Sequence, residues 1–166
     1  MPSRQEKIAS ICFEQAQHSK ITIKHGAVIT NGSKIICKGH NLFNRTKILD
    51  QIHSCTHAEM DVANQLVQML KRKIKRGVTL QQLIKKYKIW VIRIPNDYDI
   101  SLFGSSYISY KNSAPCMCCR KKLLSLGFKT IHYSIDDGSI IKRHISNIDN
   151  DYKTSSQKHY GVYYKN

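Results

Sequence analysis

Between residues 4 and 18, Ile8, Ile11, Cys12 and either Gln15 or Ala16 recur at helical spacing, the inward face of an amphipathic helix. The period then changes. The segment "KHGAVITNGSKIICKGHN" (24–41) reads as two short β-rich runs about Asn31-Gly32, a type I′ hairpin signal. Residues 42–54 show no clear period and read as a loop. Helical spacing returns from His57 to residue 76, with Ala58, Val62, Ala63, Leu66 and Leu70 along one side. In 77–88, Gly77 as a stop and Thr79 as a cap predict a short additional helix. "IWVIRI" (89–94) is a near-continuous apolar run ending at Pro95, the pattern of a central buried strand. An irregular stretch follows until Pro115, placed to open a helix over "CMCCRKKLLSLG" that Gly127 closes. "KTIHYSI" (129–135) is then a strand, and "DDG" (136–138) before "SIIKRHI" predicts a hairpin to a final strand.

Helix, two strands, helix, strand, helix, strand, strand is an α/β order. It implies a three-layer α/β/α sandwich around a mixed five-stranded sheet, its parallel pairs bridged by the helices starting at His57 and near Cys116. No repeat or linker interrupts the chain, so residues 1–166 read as a single domain. It carries a basic insert at about 71–88 and a Tyr/Lys-rich tail at about 147–166.

Charge adds a second expectation. Lys and Arg number 27 against 11 Asp and Glu, a net +16, which attracts polyanions and admits RNA as a partner. The Lys-, Ile- and Asn-rich composition of an AT-rich genome yields the same excess without any such partner. No apolar run approaches the roughly 18 residues of a membrane span, and the charged N-terminus lacks the apolar core of a secretion signal. A cytoplasmic, alternatively nuclear, location is expected. In that reducing setting clustered cysteines point to a metal or redox site rather than disulfides.

Two of the predicted helices begin with metal-ligand types. One starts "HAE", with His57 and Glu59; the other starts "PCMCC", with Cys116 and Cys119 three apart on one face of the first turn. Helix N-termini favour thiolates through their free N–H groups and dipole. One imidazole and two thiolates are three tetrahedral Zn²⁺ ligands, which leaves a fourth position for water. Glu59 is a carboxylate able to take and return a proton there.

"HAE" followed by "PCMCC" resembles the H-x-E…P-C-x-x-C pattern of the zinc-dependent cytidine and deoxycytidylate deaminase superfamily. The resemblance extends from the first helix to the strand at 129–135. It implies Zn²⁺ held by His57, Cys116 and Cys119, with Glu59 as the proton shuttle in a hydrolytic deamination of a nucleoside or nucleotide base. It also implies a substrate-binding role for Asn41, from "CKGHN" (37–41), and for Ala58 between the two motif residues. A homo-oligomer, dimer or larger, is expected on the same ground. Arg45 and Lys47, in the loop before the site, are candidates for a substrate phosphate.

Three functions remain open. The first is a deaminase of a cytosine-type base on a free nucleoside or nucleotide, toward which the "DDG" hairpin points: it implies antiparallel last strands, as in the free-cytidine branch. The second, a nucleic-acid base deaminase such as one acting on tRNA adenosine, is favoured by the charge, while "HAE" and "GHN" resemble the deoxycytidylate and tRNA-adenosine branches alike. The third is a binding module with structural zinc, which needs a fourth protein ligand, Cys55 or Cys118. Otherwise Cys118, about 100° around the helix from Cys119, reads as core, as do Cys12, Cys37 and Cys55. His25, His40, His53 and His132 receive no catalytic role, although His53 is close enough to line the pocket. The runs "KRKIKR" (71–76) and "KKYK" (85–88) read either as a solvated face or as one positive edge for a phosphate backbone.

Overall fold

The computed structural model describes residues 1–49, 51–74, 77–103 and 109–149. Helix α1 (Arg4–Gln17) starts at a capping box in which Ser3 and Glu6 bond each other's backbone N–H. Strands β1 (His25–Asn31) and β2 (Lys34–His40) form the expected hairpin. Its turn is displaced by one residue from the expected Asn31-Gly32: Asn31 pairs with Lys34, which leaves Gly32-Ser33 as the loop. Gly32 has φ +59°, whereas Leu49 is the one described non-glycine residue at positive φ. A glycine alone at the first turn position is the type II′ pattern, not type I′.

The expected loop at 42–54 contains a small hairpin, β3 (Thr46–Ile48) and β4 (Gln51–His53), closed by a bridge between Leu42 and Thr56. Three-residue strands are too short to display a period. Helix α2 (Ala58–Lys71) ends five residues earlier than its spacing suggested, because Leu70 is its last buried side chain and a run of like charges follows. Helix α3 (Leu80–Ile84) is capped by Thr79, and β5 (Lys88–Arg93) is the buried central strand. The stretch expected to be irregular includes α4 (Asp97–Phe103), which begins where Asn96 and Asp99 exchange side-chain to backbone hydrogen bonds. Helix α5 (Met117–Leu126) starts one residue after Cys116, and Gly127 ends it at φ +104°. Strands β6 (Thr130–Ser134) and β7 (Ile140–His144) complete the order. The tail from residue 150 lies outside the described residues.

The five-stranded sheet has the order β2-β1-β5-β6-β7. Only β5 and β6 are parallel neighbours; β6 and β7 are antiparallel, as the Asp-Asp-Gly turn implied. Helix α5 bridges the parallel pair. Helix α2 instead leads from β2 to β5, strands that run alike but are separated by β1, so the expected second parallel pair does not exist.

Side chains alternate across the sheet, and each face has its own helices. Val28, Trp90 and Ile92 pack on Ile8, Ala9, Cys12 and Ala16 of α1. Ala27, Ile29, Ile89, Val91 and Ile131 pack on α2 and α5. These are the three layers expected from the element order.

Candidate metal centre and active site

A parallel pair has its strand C-termini at one end, and the helices that enter or leave there present their N-termini to the same space. His57 and Cys116 are the N-cap residues of α2 and α5, each with extended backbone angles. Their side chains meet where the two helix starts converge. His57 Nδ1 lies 3.1 Å from Cys119 Sγ and 3.5 Å from Cys116 Sγ. Zn–S bonds of ~2.3 Å and Zn–N bonds of ~2.0–2.1 Å at a tetrahedral angle give an N···S edge of about 3.6 Å. The 3.5 Å edge to Cys116 matches a zinc ion held through Nδ1, and the 3.1 Å edge to Cys119 is about 0.5 Å shorter, so Cys119 and His57 must separate by that much when an ion enters.

Among the described residues, the His, Cys, Asp and Glu donors that come together as a metal cluster are His57, Cys116 and Cys119, all within 4.8 Å of one another. Neither Cys55 nor Cys118 joins them, so the geometry offers three protein ligands rather than four. Cys118 is buried in the hydrophobic core, as are Cys12 and Cys37; Cys55 is partly exposed. Glu59, 5% exposed, places Oε1 3.9 Å from His57 Nδ1.

The donors shape each other's protonation. A hydrogen bond from Cys119 is the largest influence on the Cys116 thiol; with the help of His57 it overcomes burial and lowers that group to about 3. Burial opposes protonation of His57, but hydrogen bonds to the Cys116 and Cys55 sulfurs and the charge of Glu59 outweigh it, raising the imidazole to about 11. Burial pushes the Cys119 thiol up, and so does its bond to Cys116. The cluster thus holds protons on His57 and Cys119 that a divalent cation displaces on binding. Burial also raises the Glu59 carboxyl, opposed by His57 and reinforced by Cys116.

The remaining candidates fall in different places. Ala58 is the buried first residue of α2, directly between ligand and carboxylate. Asn41 is buried beside β1; its Oδ1 accepts from His25 N–H at 2.9 Å and its Nδ2 donates to the Ile23 carbonyl at 2.7 Å. Arg45 and Lys47 are exposed on the segment that leads into and along β3. His53 is fully buried on β4, its ring edge-on to that of His57 at 5.6 Å, and neither of its nitrogens has a hydrogen-bond partner among the described residues. The basic insert begins at the C-terminal end of α2, about 20 Å from His57 along that 14-residue helix. Two residues that no sequence signal singled out, Ser113 and Ser134, are buried and bonded to each other's segments beside Cys116. A serine inside an apolar strand was the one available hint.

An α/β/α sandwich with three metal donors at helix N-termini and a buried carboxylate beside them is the architecture of a zinc deaminase. The chain belongs to the family of the cytidine and deoxycytidylate deaminase zinc-binding region, whose model matches residues 2–135. Among solved structures, the chain is similar to a cytidine deaminase from Burkholderia pseudomallei at a TM-score of 0.53 and 16% identity, covering 87% of this chain and 97% of that one. At that identity the likeness concerns the fold. No curated protein matches the sequence. Zn²⁺ is the metal that both the family and the donor set fit. Among the described residues no helix is long and apolar enough to cross a membrane.

Proposed function

We propose that the chain deaminates a cytosine-type base carried on a free nucleoside or nucleotide. The observation that carries this reading is the direction of β7, antiparallel to β6 across the Asp136-Asp137-Gly138 turn. That arrangement resembles the free-cytidine branch of the superfamily. The solved cytidine deaminase with the same fold supports the same branch.

The reaction is a hydrolysis: a C–O bond to water forms at the amine-bearing ring carbon, the C–N bond breaks, and ammonia leaves. Nothing is oxidised or reduced. His57, Cys116 and Cys119 would hold the zinc ion, which would supply a Lewis acid that acidifies water at neutral pH. Glu59 moves the protons. Its carboxylate accepts one from the attacking water and delivers it to the adjacent ring nitrogen, then takes the remaining proton of the added hydroxyl and gives it to the departing amine as the carbonyl forms. Burial raises the Glu59 carboxyl from its ordinary range, which favours a group that must act as acid as well as base. Ala58, held at the first turn of α2, keeps Glu59 and His57 on one end of a rigid helix. Asn41 braces the adjoining end of β1, and the exposed Arg45 guanidinium is offered to a substrate phosphate.

Ammonia release across cytosine, cytidine, deoxycytidine, their monophosphates, adenosine, guanine and tRNA tests the assignment. Turnover confined to tRNA contradicts it. The net charge of +16 is the observation that favours a base within RNA instead. The lysine at the C-terminal end of α2, Lys71, is about 20 Å from His57 along the helix, a distance that a single free nucleotide does not span but an RNA backbone does.

A further inference from the structure

The parallel ladder of β5 and β6 runs from Ile89 and Ile131 to Val91 and Tyr133, and stops there. Where the strands part, the segment that leads to Cys116 enters. Ser113, 3% exposed, donates from Oγ to the Val91 carbonyl at 2.8 Å and accepts from Ser134 N–H at 2.9 Å. It therefore occupies the place of the next inter-strand backbone bond. Its own N–H reaches the Ser134 carbonyl at 2.9 Å.

Ser134, fully buried, completes the join. Its Oγ donates to the Lys111 carbonyl at 2.6 Å and accepts from Arg93 N–H at 3.2 Å. The two hydroxyl oxygens are 2.8 Å apart. Each hydroxyl carries one hydrogen, so three close acceptors share two protons and the pair is held from both sides. The N–H groups of Lys111, Asn112 and Ala114 are bonded to Arg93, Asp136 and the Asn112 side chain, and Pro115 has none. Cys116 follows two residues after Ala114, at the end of a segment fixed to both strands.

We propose that Ser113 and Ser134 are positioning residues of the metal centre. The hydroxyl pair wedges the ends of β5 and β6 apart and fixes where the Cys116 thiolate meets His57. This inference rests on the zinc-site reading above. It concerns residues that do not touch the metal.

The test is the rate at which zinc-loaded protein releases its metal to a chelator, read beside the absorption spectrum of the cobalt-substituted form. Ser113→Ala removes one hydroxyl and leaves the Val91 carbonyl and Ser134 N–H unpaired. It is expected to lower zinc affinity by about 10- to 100-fold, the range for groups that orient metal ligands, and to alter the thiolate bands of the cobalt form. Thr30→Val is the control: it removes the buried hydroxyl that accepts from Trp90 Nε1 at 3.1 Å on the opposite face of the sheet. The control is expected to lower thermal stability to a comparable extent with unchanged zinc release and spectrum. Ser134→Ala gives the same readout should Ser113→Ala fail to fold. Wild-type zinc release and an unaltered cobalt spectrum in the folded serine variant overturn the inference. Failure of the wild-type protein to take up zinc at all overturns the site reading itself.

Discussion

Replacing Gly26 by alanine tests how closely α1 lies on the sheet. A Cβ built at this position falls 1.8 Å from the Cys12 carbonyl oxygen and 2.6 Å from the Ala16 backbone nitrogen. Real Cβ contacts essentially never fall below 3.0 Å, so the helix must retreat by at least 1.2 Å (3.0 − 1.8). Both obstructing atoms are helix backbone, and no side-chain rotation relieves them. Retreat opens a gap beneath Ile8, Ala9 and Cys12, and a gap of about 1 Å already forfeits up to half of a dispersion contact. The cost belongs at the upper end of overpacking penalties, about 3 kcal/mol. For a chain of this size that is a fall in Tm of about 6–12 °C. Thermal unfolding followed by circular dichroism measures it. Gly32→Ala is the reference, since a Cβ there meets nothing within 4 Å and only the φ of +59° is strained, at about 1–2 kcal/mol. A Gly26→Ala protein within about 2 °C of wild type refutes the packing described for α1.

Cys116→Ser is expected to lose bound zinc, whereas Cys118→Ala retains it; atomic absorption on dialysed protein distinguishes the two. Charge reversal at Arg45 is expected to raise KM for nucleoside monophosphates several-fold while leaving nucleosides unaffected, which steady-state ammonia release measures. His132 stacks on Trp90 at 3.6 Å, and burial, then the charges of Lys88, Lys142 and Arg4, lower its imidazole to about 4. Between the unfolded value near 6.5 and about 4, the unfolded chain binds the extra proton. His132 therefore makes stability fall as pH drops through that window and contributes nothing above it. His132→Phe is expected to flatten denaturant midpoints across pH 6.5–4; an unchanged slope contradicts this assignment.

Much of the architecture was legible because most long elements bury one face. The 3.6-residue spacing of Val62, Ala63, Leu66 and Leu70 and the apolar run at 89–94 both reappear as core. The Asp-Asp-Gly turn fixed the direction of β7 through local backbone chemistry. What escaped was either short or decided by tertiary contacts. Strands β3 and β4 are three residues each, and α4 exposes Tyr98, Ile100 and Leu102, so it lacks the single apolar face that betrays a helix. Its one signal was Asn96 three residues before Asp99. The metal donors were visible because a zinc site demands particular residue types at helix starts. The Ser113–Ser134 pair was not, since serine is common and its role depends on a loop residue meeting a strand residue 21 positions away.

The central claim is that His57, Cys116 and Cys119 hold a zinc ion and that Glu59 moves the protons. The most direct measurement is zinc content together with ammonia release for Glu59→Gln, which keeps the shape of the side chain and removes its acid–base chemistry. The expected result is one zinc per chain, as in wild type, with turnover reduced by at least about 10²- to 10⁴-fold. A zinc-loaded Glu59→Gln protein with wild-type turnover contradicts the account.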